Sequence, residues 1–344
     1  MGITENRRYL SSLKQGLLEL DLSALDGKCV LVAGAAGMLG SCIVDMLRSY
    51  GQCRVVAMGR DAPAAEARFG PADNLYSFLQ QDVTKPLEIT GNVDFVIHAA
   101  SNADPVRMAR DPVGTLMANV QGTKNLMDGG MAHGMKRFLF VSSGEVYGQS
   151  NGAADAFTED CCGPLDLSSP RSCYPEGKRA AEVLCQSYIS QYGTDAVIVR
   201  PCHLFGPTMT GRDSRAVSEF LWNAADGRDI VMKSAGLLER SQCYIVDAAR
   251  AVLTVLVKGE CGGVYNIADK RYQMRICDFA QQAARAGGCQ VICKEPSELE
   301  RAGYSKVSRA VLDASRLETL GWRPQVKNGI PETVAILRES QQGE

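Results

Sequence analysis

Histidine and tryptophan are the scarcest residues of this chain, three and two in 344 positions. None of the three histidines stands at ligand spacing from a cysteine or another histidine, so a zinc finger or histidine-built centre is excluded and no metal is expected. The thirteen cysteines include no C-x-x-C pair, and only Cys161 and Cys162 are adjacent. An odd count without a signal-peptide pattern argues for reduced thiols and a cytoplasmic location. Apolar runs are strand-sized and fall short of the roughly 20 residues that span a bilayer, so no membrane partner is expected. Charge of one sign is missing as well: 37 basic against 39 acidic residues leave a net charge of −2, and no basic field for nucleic acid. The opening M-G-I-T-E-N lacks the Ser or Thr of a myristoylation signal. Repeats and low-complexity tracts are absent. The length suits one large α/β unit with a smaller lobe.

The residues that are present alternate strand and helix patterns. Leucines between Asn6 and Leu25 predict a short amphipathic helix that packs on the surface of the main domain. Cys29 to Ala33 reads as a buried strand, followed by Gly34, Gly37 and Gly40 and then a helical pattern through Ile43, Val44 and Leu47. Glycines at such a strand-to-helix turn let backbone N–H groups approach a pyrophosphate, so Gly34, Gly37, Met38, Leu39 and Gly40 are candidate dinucleotide contacts. The next strand, Arg54 to Met58, ends in Gly59-Arg60-Asp61. Glycine stands where an acid would take a ribose hydroxyl, and Arg60 is a candidate contact to the adenosine end. Strands near Leu75 to Leu79 and Val93 to Ile97 lead to Asp82-Val83 and to His98-Ala99-Ala100-Ser101. Asp82, Val83, Ala99, Ala100 and Ser101 join the cofactor candidates, while His98 reads as a packed strand-end histidine. Asp111-Pro112 opens a helix carrying Asn119, another cofactor candidate.

Phe138 to Val141 reads as a strand that delivers Ser142 and Ser143 to its carboxyl end, in V-S-S-G-E-V-Y-G. Some thirty residues on, C-Y-P-E-G-K-R starts a helix with Tyr174 and Lys178 four apart on one face. An ammonium near a phenol favours the phenolate, which would let Tyr174 exchange a proton near neutral pH, and Ser143 could hold the same substrate oxygen. After a strand at Ala196 to Val199, R-P-C-H-L-F-G-P predicts a loop leaving the sheet. A helix near Ser214 to Ala225, a short strand near Ile230, a loop at Glu239-Arg240-Ser241, a helix from Ile245 to Val257, a strand in V-Y-N-I-A-D and a C-terminal helix from Ile330 to Leu337 follow.

In order and spacing, G-A-A-G-M-L-G, H-A-A-S, V-S-S-G-E-V-Y-G, Y-P-E-G-K and R-P-C-H-L-F-G-P resemble the extended short-chain dehydrogenase/reductase family, in its nucleotide-sugar epimerase, dehydratase and decarboxylase branch. The resemblance runs from Gly27 to about Leu337. It implies a Rossmann-type, doubly wound parallel α/β sheet over 27–200 with a return segment at about 242–268. It also implies a smaller substrate lobe from 201–241 and 269–344, behind an N-terminal extension of 1–26. NAD is the implied cofactor, with NADP as an alternative, and a nucleotide sugar is the implied substrate. A homodimer through the helices containing Asn119 and Tyr188 is implied too. Ser143, Tyr174 and Lys178 match the catalytic hydroxyl, phenol and ammonium, with Lys178 also on the nicotinamide ribose. Ser142 and Pro201 are counted with the cofactor wall.

Glu145 sits where the 4-epimerases of this branch have Thr and the 4,6-dehydratases and UDP-glucuronate decarboxylases have Glu; it could move the C5 proton or face a departing carboxylate. Gly144 replaces the Asp of glucose-type dehydratases and the Ser of other members. His203 stands where Asn often contacts the diphosphate, and Arg240 matches an arginine used on the diphosphate or sugar acid. D-S-R-A-V-S-E-F, carrying Arg215, is similar to a decarboxylase segment, which makes Arg215 a further anion candidate. The substrate contacts are thus Ser143, Gly144, Glu145, His203, Arg215 and Arg240. The reading is transient oxidation at C4 followed by lyase chemistry, with decarboxylation of a uronic acid first, 4,6-dehydration second and C4 epimerisation third. An idle dinucleotide-sensing protein is the alternative from another class.

Overall fold

The computed structural model describes residues 2–149, 156–211, 213–294 and 309–341. Helix α1 (Arg7–Leu17) precedes β1 (Cys29–Ala33), α2 (Met38–Tyr50), β2 (Arg54–Gly59), α3 (Ala62–Phe69) and β3 (Tyr76–Gln80). Then come β4 (Phe95–His98), α4 (Pro105–Arg110), α5 (Pro112–Ala132), β5 (Arg137–Val141), α6 (Cys173–Tyr192) and β6 (Ala196–Pro201). The remainder is β7 (His203–Phe205), α7 (Ala216–Ala225), β8 (Ile230–Met232), β9 (Glu239–Tyr244), α8 (Ile245–Lys258), β10 (Val264–Ile267) and β11 (Asp269–Arg275). It closes with α9 (Ile276–Gly287), β12 (Val291–Cys293), β13 (Arg309–Ala310), α10 (Ser315–Thr319) and α11 (Gly329–Gln341).

Seven strands pair in the order β3-β2-β1-β4-β5-β6-β10, and every pair is parallel. The cause lies in the strand sequences. C-V-L-V-A of β1 is buried at all five positions, as a strand covered on both faces must be. Because side chains alternate, Val30, Val32, Val55, Ile97, Leu139 and Val199 point into one core, with α2 and α8. Leu31, Val56, Val96, Phe138, Phe140 and Ile198 point into the other, with α5 and α6. The order reverses between β1 and β4, so the carboxyl ends of these two strands open the crevice in which such sheets bind ligands.

The N-terminal helix packs on the domain's own surface, as its pattern suggests. Leu13 is buried, the Tyr9 hydroxyl donates to Asp45 at 2.6 Å, and Arg250 of α8 caps the helix end through the Gly16 carbonyl at 2.8 Å.

Two expectations are corrected in the second half. The segment read as a loop from Pro201 to Pro207 contains β7, and the loop read at Glu239-Arg240-Ser241 is the start of β9. Strand β9 lies between β11 and β13 and also pairs β7. Its sequence, E-R-S-Q-C-Y, is mostly polar yet buried from Arg240 to Tyr244. A strand assembled from polar residues by distant partners has no apolar alternation to betray it. Helices α3 and α4, and the small β8–β12 pair, complete the described structure. No helix among the described residues is long and apolar enough to cross a membrane.

Candidate active site

The turn between β1 and α2 requires glycine. Gly34 adopts φ +82°, and a Cβ there would stand 2.6 Å from the Ala100 backbone; a Cβ on Gly40 would stand 2.2 Å from the Gly34 carbonyl oxygen. Strand ends and helix start are thereby packed backbone to backbone. Gly37 caps α2 without a side-chain acceptor, so the first-turn N–H groups of Met38, Leu39 and Gly40 keep their donor capacity for a ligand. In the same wall, Ser101 Oγ and Asn119 Oδ1 are buried and lack a hydrogen-bond partner among the described residues. Asn119 itself is fixed by donating Nδ2 to the Thr115 carbonyl at 2.8 Å. An anion-accepting helix end beside orphaned polar atoms fits a dinucleotide.

At the far end of that crevice Arg60 lies 3.8 Å from Asp82, at the ends of β2 and β3. Asp61 is spent elsewhere: it caps α3 through the Ala64 N–H at 3.0 Å. Val83 is buried, and its carbonyl accepts from Asn125 at 2.9 Å. His98 is fully buried between Phe138 and Phe140, with ring centroids 6.3 and 5.4 Å away. Burial, then the charge of Lys178, push its pKa down to about 3, so it is a neutral packing residue.

The catalytic candidates converge where β5 ends. Ser143 caps a short 3-10 turn, Gly144–Tyr147, and its Oγ accepts the Glu145 N–H at 3.1 Å. Tyr174 and Lys178 rise from the first turns of α6 and are both buried. The Lys178 ammonium donates to the Val141 carbonyl at 2.7 Å and stands 5.7 Å from the Tyr174 ring centroid. Burial lowers its pKa to about 7, with Glu182 opposing. The Tyr174 phenol is pushed up to about 12, first by burial and then by the charge of Glu145. The groups that pull it back are Ser143, Arg171 and Arg215. This corrects the expectation that Lys178 holds the phenol near neutrality: its ammonium is anchored to a carbonyl and desolvated in its own right.

Glu145 is exposed, and both its carboxylate oxygens accept from Arg171 Nη2, at 2.9 and 2.7 Å. Arg171 belongs to the 3-10 turn Pro170–Ser172 that runs into α6, and its guanidinium lies 6.0 Å from the Tyr174 ring centroid. The sequence reading missed it. A basic residue three positions before Tyr174 on a helical turn is the signal that could have found it. Gly144 has its place taken: a Cβ there would meet Leu312 Cδ1 at 3.1 Å and the Pro201 carbonyl at 3.4 Å.

Of the cationic wall, Arg240 is nearly buried on β9 and donates Nη1 to the Glu239 carbonyl at 3.0 Å. His203 starts β7 in register with Gln242 of β9. Solvent reaches its ring, but the surrounding protein, then the charges of Arg240 and Arg215, push its pKa down to about 4. It is a neutral hydrogen-bonding group at pH 7. Arg215 is engaged differently from the expectation of a ready anion site: Nε donates to both oxygens of Asp213, at 2.9 and 3.1 Å, and Nη2 reaches Met38 Sδ at 3.2 Å. It ties the segment before α7 to the start of α2.

Ser142, a cofactor candidate, donates its hydroxyl proton to Glu182 and keeps its acceptor lone pairs. Glu182 is forked by Arg200 at 3.0 and 2.7 Å, and Arg200 reaches Tyr147 at 3.1 Å. Tyr147 donates to Asn266 at 2.6 Å. This satisfied network ties β6, β10 and α6 together beneath the catalytic turn.

Comparison with known proteins agrees with this geometry. The family model described as "NAD dependent epimerase/dehydratase family" matches residues 30–268. UDP-glucuronic acid decarboxylase 6 of Arabidopsis thaliana is 31% identical over 316 residues, covering 88% of this chain and 86% of that protein. The dTDP-D-glucose 4,6-dehydratase of Mus musculus is 29% identical, covering 91% of this chain and 89% of that protein. Among solved structures, the double mutant of the dTDP-glucose 4,6-dehydratase DesIV from Streptomyces venezuelae, with NAD and DAU bound, superposes with a TM-score of 0.76. It is 25% identical and covers 91% of this chain and 98% of its own. With its glycine turn, parallel sheet and Ser143–Tyr174–Lys178 set, the chain belongs to the NAD-dependent epimerase/dehydratase family.

Proposed function

We propose that this protein decarboxylates a nucleotide-linked uronic acid after transient oxidation at C4. The observation that carries the choice is the filled space at Gly144. Elimination of a 6-hydroxyl needs an acid to protonate the leaving oxygen. At position 144 there is no side chain, and Leu312 stands where one would project. Loss of CO₂ needs no such donor, because the leaving group departs neutral. The similarity to UDP-glucuronic acid decarboxylases supports the same choice.

NAD, when bound, supplies the acceptor and later donor of the hydride at C4, so the cycle is redox-neutral. Met38, Leu39 and Gly40 N–H groups, with Asn119 and Ser101, would hold it. The chain's own side chains handle the protons. In its ionised form, which the charges of Arg171 and Arg215 favour, Tyr174 takes the proton of the sugar 4-hydroxyl, and Ser143 holds the same oxygen. In the resulting β-keto acid the C5–C6 bond breaks, CO₂ leaves, and its electron pair moves onto the C4 oxygen as an enolate. The Tyr174 and Ser143 hydroxyls donate to that oxygen. Water beside the exposed Glu145 carboxylate gives C5 its proton and restores the ketone, after which C4 is reduced again and Tyr174 returns its proton to the C4 oxygen. Arg240 and the neutral His203 ring face the nucleotide diphosphate.

The test is incubation of purified protein and NAD with UDP-glucuronate, UDP-glucose and their dTDP-, GDP- and CDP-linked counterparts, read by mass spectrometry. Loss of carbon dioxide from a uronate is the expected result. Loss of water from a neutral hexose would replace this reading with a 4,6-dehydratase, and an unchanged mass with altered retention would replace it with an epimerase.

A further inference from the structure

We infer that Arg171 is a specificity-determining residue that bridges Glu145 and the carboxylate of the sugar, and so selects acidic over neutral substrates. The inference rests on the uronic-acid reading above and goes beyond it by naming the group that recognises the acid.

Three observations lead to it. The Glu145 carboxylate lies in the catalytic wall beside Ser143 and Tyr174, and a uronate places a second carboxylate near the same turn. Two anions so close repel each other unless a cation lies between them. Arg171 is the cation in place: a single nitrogen, Nη2, serves both oxygens of Glu145 at 2.9 and 2.7 Å. A guanidinium carries five N–H donors in a planar fork. The Nε and Nη1 donors of Arg171 make no hydrogen bond among the described residues, and its side chain is 45% exposed. One edge of the fork is therefore engaged with the protein and the rest is open to solvent. The other arginines of the wall are differently committed, Arg215 to Asp213 and Arg240 to the Glu239 carbonyl.

The position of Arg171 argues for the same role. It sits on a short turn immediately before α6, with its guanidinium over the phenol ring at 6.0 Å. A carboxylate held by its open edge lies within reach of the oxygen that Tyr174 and Ser143 address. A neutral hexose offers that edge only an uncharged hydroxyl, a weaker partner than a carboxylate that takes the fork bidentately.

The experiment compares binding of UDP-glucuronate and UDP-glucose to the NAD-loaded protein by calorimetry, for wild type, Arg171→Gln, Arg171→Lys and the double variant Glu145→Gln/Arg171→Gln. Arg171→Gln is expected to weaken uronate binding by about 30-fold and glucose binding by less than about 3-fold. Arg171→Lys restores part of the loss. The double variant binds the uronate better than Arg171→Gln, because the repelling carboxylate has gone. A melting temperature within about 2 °C of wild type shows that the exposed turn is intact. Equal weakening of both sugars would overturn the role of Arg171 and leave the proposed reaction standing. Wild-type protein without preference for the uronate would overturn the proposed reaction, and this inference with it.

Discussion

The two halves of the crevice are built from different materials. The dinucleotide half is made of backbone: Gly34 against Ala100, Gly40 against the Gly34 carbonyl, and the uncapped first turn of α2. The proposed substrate half is made of side chains, Ser143, Glu145, Arg171, Tyr174, His203 and Arg240, drawn from the turn after β5, the turn before α6, α6 itself, β7 and β9. The first tolerates almost no change because its contacts are already closer than van der Waals distance would allow any Cβ. The second can change its charges while the sheet beneath it stays the same. On the proposed reaction, shape sets the cofactor and the placement of charge sets the substrate.

Mutations can break this comparison at either side. The largest effect is expected from Gly34→Val, which forces a side chain into the Ala100 backbone at positive φ. It should cost on the order of 3 kcal/mol or more and remove NAD binding, seen by thermal melting and by cofactor titration. A folded, NAD-binding variant would show that the close approach is dispensable. Tyr174→Phe should lower turnover about a thousand-fold while NAD affinity stays within about twofold, which separates chemistry from cradle. Turnover retained in that variant removes Tyr174 from its assigned role.

Lys178→Met tests the buried ammonium. The Lys178 pKa, about 7 against an ordinary 10.5, means that the unfolded chain binds more protons between those values. The penalty on folding is present in full below pH 7 and is relieved as pH rises towards 10.5. Lys178→Met should therefore be inactive yet melt about 5 °C higher than wild type at pH 7, with the difference shrinking towards pH 10. A difference that grows with pH would contradict the assigned burial effect. The smallest change is Gly59→Asp at the adenosine end, where a Cβ meets only the Phe78 ring at 3.4 Å. The new carboxylate should shift preference towards NAD over NADP by about tenfold, measured by cofactor affinities. An unchanged ratio would move the ribose away from the end of β2.

How much could be read beforehand follows the same division. Strands β1, β4, β5 and β6 were legible because a strand covered on both faces is a continuous apolar run. The glycine turn, Ser143, Tyr174 and Lys178 were legible because their spacing is local. Strand β9 was not, since E-R-S-Q-C-Y is polar and is buried by β7, β11 and β13 from far along the chain. The pairing of Glu145 with Arg171 spans 26 positions, and Leu312 reaches Gly144 from the far end of the chain. Neither spacing has a period to recognise. The upward push of burial on the Tyr174 phenol is not legible for a related reason, because spacing shows which charges are near but not how much water is excluded.

By itself the sequence determined the parallel sheet, the glycine turn and the local spacing of Ser143, Tyr174 and Lys178, because apolar periodicity and residue spacing act over a few positions. Only the tertiary structure decided which charges face one another across the substrate half, that Arg171 guards Glu145 and that Leu312 fills the space at Gly144. Those contacts depend on how distant segments close over the sheet, and that closure fixes both distance and desolvation.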